Sequence, residues 1–168
     1  MDSIREKAAE EFVEIMGLVL QSDGLSRTAG RILAMLILMD RPAGLDEIAN
    51  YLQVSRSGVS TNTRELERIA AIERSTRPGD RQYYFEVVND VLSPLLNNHV
   101  ERMNKALATI RKASATIPPA WEQACNRLDR MDFFYSIAIG KTNDLIHELA
   151  DADKANAPVK RPAITPAD

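Results

Sequence analysis

The stretch IERSTRPGDRQYYFEV, from Ile72 to Val87, is strand, tight turn and strand in a chain otherwise patterned for helices. Pro78 pre-sets the backbone for the turn and Gly79 supplies its special geometry, so Pro-Gly-Asp marks the hairpin tip. Aromatic residues are only 5% of the chain, while Ala, Leu and Ile are plentiful, a balance that disfavours a β-sandwich. The fold class that follows is mainly α with one small β-hairpin.

The helices announce themselves by spacing. Ile4, Ala8, Phe12, Ile15, Met16, Val19 and Leu20 recur at three- and four-residue steps, which predicts a helix over 3–22 that Gly24 ends. A second helix is expected over 26–39, then a loop at 41–44. A short helix over 45–52 has Asp46 and Glu47 at its positive end. Ser55 is an N-cap for the next helix, which runs to about Ala70. Beyond the hairpin, helices are expected over 90–115, with Pro94 tolerated near its start, over 120–130 after Pro118 and Pro119, and again from Met131 with at most a kink between.

Helix, short helix, tight turn, helix and hairpin, in that order from Ser26 to Val87, is the element order of a winged helix-turn-helix. The third helix has the matching chemistry. Val59, Leu66, Ile69 and Ala70 can form its buried stripe, with Thr63 at the intervening turn. Arg56, Ser57, Ser60, Thr61 and Arg64 then lie mostly outward. Small hydroxyl side chains let a helix start approach DNA closely and hydrogen-bond phosphates or base edges. Gly58 costs helix stability, about 1 kcal/mol relative to Ala, and removes bulk on the approaching side.

The hairpin carries Arg74, Arg77 and Arg81, with Asp80 placed to hold Arg81, and a wing arginine suits a narrow minor groove. From Ser55 to Phe85 six Arg stand against four acidic residues, a local positive excess in a chain whose net charge is −3. The overall acidity argues against a general nucleic-acid coating role but not against a local basic face.

The stretches LDEIANYLQVSRSGVSTNTRELERI and RPGDRQYYFEV resemble the MarR-like winged-helix repressors. Within them they resemble the GbsR branch, which includes regulators of glycine betaine synthesis from choline. Asn62, Arg64, Glu65 and Leu66 match that branch's recognition helix. Gly79-Asp80-Arg81 and Tyr83-Tyr84-Phe85 match its wing. Thr63 stands where an apolar residue is usual, and Ala70-Ala71-Ile72 replaces an aromatic-Gly-Leu turn. The resemblance implies a homodimer on a pseudo-palindromic operator, with Arg56, Ser57, Ser60, Thr61, Asn62, Arg64, Arg77 and Arg81 against double-stranded DNA.

It also sets the domain plan: a dimerisation helix at 1–24, the winged helix-turn-helix at 25–88, a helical dimerisation region at 89–152 and a disordered tail at 153–168. Two further apolar stripes support it, one through Leu92, Leu95, Leu96, Val100, Met103, Leu107 and Ile110, the other through Ile137, Ile139, Leu145, Ile146 and Leu149. Trp121, Phe133, Phe134 and Tyr135 suggest an aromatic cage for a choline-like cation, weighed against a plain apolar junction. The single cysteine, Cys125, suits a reducing cytoplasm, and no apolar run reaches membrane-spanning length. His99 and His147 lack metal-ligand spacing, and no catalytic arrangement or cofactor motif is present. A winged-helix module that contacts proteins rather than DNA is the alternative reading.

Overall fold

A computed structural model describes residues 2–154, with side chains from 6 to 152. The tail expected at 153–168 lies outside the described residues, apart from 153 and 154, which continue the last helix. The side chain of Ile4 also lies outside them. Contacts divide the chain into two units, residues 1–99 and 100–168. The elements run α1 (Asp2–Ser22), α2 (Arg27–Ile37), β1 (Ala43–Gly44), α3 (Leu45–Leu52), α4 (Arg56–Arg68), β2 (Ile72–Thr76), β3 (Tyr83–Val87), α5 (Leu92–Thr116) and α6 (Glu122–Lys154). Among the described residues no helix is long and apolar enough to cross a membrane.

In the first unit α2 is the central helix. Ala29, Gly30 and every residue from Ile32 to Leu36 are buried, because a helix surrounded by other elements has to be apolar on most of its faces. Val13 and Leu20 of α1, Ile48 and Leu52 of α3, Val59 and Leu66 of α4, and Ile72 and Phe85 of the sheet complete the core around it. Ser26 caps α2 by accepting a hydrogen bond from the Ala29 amide at 3.0 Å.

α1 crosses α2 at two glycines. A Cβ on Gly30 would stand 3.1 Å from both the Cα and the carbonyl oxygen of Gly17, so a side chain there would require the backbones to part by a few tenths of an ångström. Beside the crossing, Glu14 of α1 takes Arg27 at 2.8 Å and Arg31 at 2.6 Å. Partial burial pushes the Glu14 carboxyl up, but the two guanidiniums outweigh it and hold the group below its ordinary value. Arg31 also donates to the Leu52 carbonyl at 3.1 Å, so one side chain joins α1, α2 and the end of α3.

Three of these helices end in a left-handed residue: Gly24, Gln53 and Ala70, with φ of 92°, 53° and 59°. After α4 the Ala70 amide bonds to Glu67 and the Ala71 amide to Leu66, closing the last turn. Ala70 is exposed there, not part of the buried stripe, while Ile69 packs against the core.

β2 and β3 pair antiparallel from Ile72↔Val87 to Thr76↔Tyr83, with the tip closed by Asp80 N–H to the Arg77 carbonyl at 3.1 Å and Gly79 at φ 81°. That is the geometry of a type II turn. β1, within the stretch 41–44 whose composition predicts a loop, adds a third strand beside β3 through Ala43↔Phe85 and Gly44↔Tyr84.

In the second unit Val100, Met103, Leu107 and Ile110 form a buried stripe on α5, so that part of the expected dimer stripe is already covered in a single chain. Arg111 joins α5 to α6 through Asp132, Nε to Oδ2 at 2.6 Å. The Arg111 hydrogen bond holds the Asp132 carboxyl below its ordinary value. Residues expected as two helices form one α6, since no proline or glycine interrupts the chain between Glu122 and Ile139.

Candidate nucleic-acid interface

Ser55 anchors the start of α4 by accepting the Gly58 amide at 3.1 Å. A Cβ on Gly58 would lie 3.1 Å from that same Ser55 oxygen, so the glycine keeps the cap uncrowded. Val59, Thr63 and Leu66 face the core. Thr63 is 1% exposed and satisfies its hydroxyl on the Ser60 carbonyl at 3.3 Å, which accounts for a threonine at an inward position.

With that stripe inward, Arg56, Ser57, Thr61 and Arg64 are exposed and Ser60 half-buried. Positions 56, 60 and 64 follow one line of the helix at four-residue steps. Arg56 pairs with Asp46 at 3.1 Å on the surface. Such an exposed pair contributes little, which leaves the guanidinium readily exchanged to a phosphate. The Ser57 hydroxyl lies 3.1 Å from that of Ser55.

Arg56, Ser60 and Arg64 share a groove of about 290 Å³ with Arg74, Arg81 and Tyr83 of the hairpin. The fold therefore converges two distant sequence segments on one basic cleft. Arg74 is placed there by Glu67 at 3.4 Å and by stacking over Tyr83 at 4.4 Å. It is a groove residue that the sequence list of DNA contacts omitted. The signal was the alternation of β2, which puts 72, 74 and 76 on one face with Tyr83, Phe85 and Val87.

Three residues sit in a different local setting from the one expected. Arg77 does not line the groove; it stacks over Tyr84, its guanidinium 4.0 Å from the ring centre. Asp80 holds the Tyr84 hydroxyl at 2.6 Å and the Gln82 amide at 3.0 Å rather than the Arg81 side chain. The hydrogen bond from Tyr84, then that from Gln82, keeps the Asp80 carboxyl below its ordinary value. Asn62, expected among the DNA contacts, turns inward. It donates from Nδ2 to the Gly58 carbonyl at 2.7 Å and accepts from the Ser26 hydroxyl.

Within one chain the residues expected as an aromatic cage are spread out. Trp121 precedes α6, and Phe133 lies eleven residues beyond Glu122 on that helix, about 16 Å further along its axis. Phe133 and Phe134 are 69% and 63% exposed, and Phe134 meets Tyr135 edge to face at 5.4 Å. Cys125 is half-buried near the Pro118 carbonyl.

No family model matches the chain. Over 91 residues, 51% of its length, the chain is 40% identical to the HTH-type transcriptional regulator MmpR5 of Mycobacterium tuberculosis (strain ATCC 25618 / H37Rv). It spans about half of that relative, 55% of its length. A crystal structure of a transcriptional regulator superposes with a TM-score of 0.69 at 28% identity, over 86% of this chain and 99% of the other. The chain is thus similar to transcriptional regulators in sequence, and it carries a winged helix-turn-helix in its first unit.

Proposed function

We propose that this chain is a MarR-like, sequence-specific DNA-binding regulator that represses transcription as a homodimer on a pseudo-palindromic operator. The observation that carries the reading is the groove in which Arg56, Ser60 and Arg64 of α4 meet Arg74 and Arg81 of the hairpin. α4 enters the major groove, its hydroxyl and guanidinium groups reaching bases and phosphates. The hairpin lies along the adjacent backbone, with Arg81 toward the minor groove. The motifs at 45–69 and 77–87 favour the GbsR branch.

Dimerisation is supported by apolar side chains that one chain leaves uncovered. In the first unit Ile15, Leu18 and Val19 of α1 are 51%, 52% and 44% exposed. In the second, Phe133, Phe134 and Ile137 of α6 are similarly bare. Two copies place two α4 helices on half-sites about one helical turn apart. Selection of bound fragments from a random duplex pool tests this reading. Enrichment of a two-fold symmetric sequence is expected, and a pool with no enriched sequence contradicts it.

A further inference from the structure

Asn62 stands on the helix that the DNA-binding reading sends into the major groove, yet its amide is spent inside the protein. The Ser26 hydroxyl already accepts the Ala29 amide as the cap of α2, so it uses its hydrogen to donate to Asn62 Oδ1. The Gly58 carbonyl can only accept, so it must face Asn62 Nδ2, at 2.7 Å. The amide orientation is therefore forced. One side chain ties the first turn of α4 to the first turn of α2, across 36 positions of sequence.

We propose that Asn62 is a positioning residue: with Ser26 it forms a clasp that sets how α4 is rotated and how far its start protrudes. This deepens the DNA-binding reading and rests on it. Arg56, Ser57, Ser60 and Thr61 lie within six residues of Asn62 on a helix start built of small side chains. Val59, Thr63 and Leu66 pin the helix to the core, and at the edge of that stripe Asn62 adds a polar tie to the start of α2. The half-buried amide of Asn62 is held there by the domain's first capping serine.

A positioning residue and a base-reading residue fail differently. The test compares the full-length parent with N62A, S26G and the double variant. Glycine is nearly as good a cap as serine, so S26G removes the clasp and keeps α2. Binding is measured to a selected operator, to its single-base-pair variants and to an unrelated duplex, over a range of salt.

Each single variant is expected to lose about tenfold in operator affinity, the loss spread over every position that α4 reads. Binding to the unrelated duplex and its salt dependence stay as in the parent, because the phosphate contacts remain. The double variant is expected to be no worse than either single one, since both remove the same clasp. N62D keeps the shape but presents an acceptor to the Gly58 carbonyl, so its operator affinity should fall at least as far as that of N62A, its added charge weakening unrelated-duplex binding as well.

Loss confined to one base pair in N62A, with S26G like the parent, would overturn the proposal and make Asn62 a direct reader. Additive losses in the double variant would overturn it too. A parent that binds no duplex overturns the DNA-binding reading itself, and the clasp's role with it.

Discussion

The Tyr84 hydroxyl donates to the Asp80 carboxylate across 2.6 Å, and Gln82 bonds to both partners, so the base of the wing tip is a closed hydrogen-bonded triangle. Arg77 lies over the Tyr84 ring at 4.0 Å on the same assembly. The turn that displays Arg81 is thereby held by its neighbours and leaves that guanidinium uncommitted to Asp80.

Replacing Tyr84 with Phe removes the leading cause of the depressed Asp80 value. The Asp80 carboxyl, followed by NMR titration, should then move up toward the ordinary aspartate range. The sign for stability follows: a group depressed in the folded state contributes above its unfolded pKa and loses that contribution as pH falls through the folded one. The wing triangle is therefore intact at neutral pH and weakens only below the ordinary aspartate range. An Asp80 titration unchanged in the variant would contradict this arrangement.

Ala70 closes α4 at φ 59°, where an L side chain is strained and glycine is not. Ala70→Gly should stabilise the domain by about 1 kcal/mol, read from urea unfolding. A lower midpoint would show that the turn into β2 is not the left-handed cap described.

At the α1–α2 crossing the opposite substitution is harmful. Gly30→Val puts atoms into the 3.1 Å space before the Gly17 backbone and should cost about 2 kcal/mol. Unchanged stability would mean that the helices do not cross at that distance.

Thr63 is the mild case. Thr63→Val keeps the buried shape and deletes only a hydroxyl bonded to its own helix at the floor of the groove, so stability should change by less than about 1 kcal/mol and DNA affinity by less than about threefold. A large loss of affinity would place Thr63 on the outer face and rotate α4 from the orientation described.

Local chemistry made much of this fold legible in the sequence. Ser26 begins the second expected helix and caps α2, Ser55 is the N-cap the sequence calls for, and Pro78-Gly79 turns the hairpin; each signal acts within a few residues. What stayed hidden depends on partners far along the chain. β1 is two residues that extend only because β3 lies beside them. Gly17 and Gly30 read separately as weak helix positions and make sense only facing each other. Nothing near Asn62 in sequence announces its bond to Ser26. Trp121 and Phe133 are twelve residues apart in sequence, and α6 carries Phe133 away from Trp121, which precedes the helix.

The central claim is that α4 and the hairpin form one DNA-binding groove. The most direct measurement is the salt dependence of duplex binding for the parent, Arg64→Ala and Arg81→Ala, with unfolding curves to confirm that all three remain folded. Both arginines are exposed, so stability should hardly change. The parent should lose affinity steeply with salt. Each variant should bind more weakly, with a logarithmic slope shallower by about one for a lost phosphate contact. Variants that bind as the parent does, with the same slope, would contradict the groove as the DNA face.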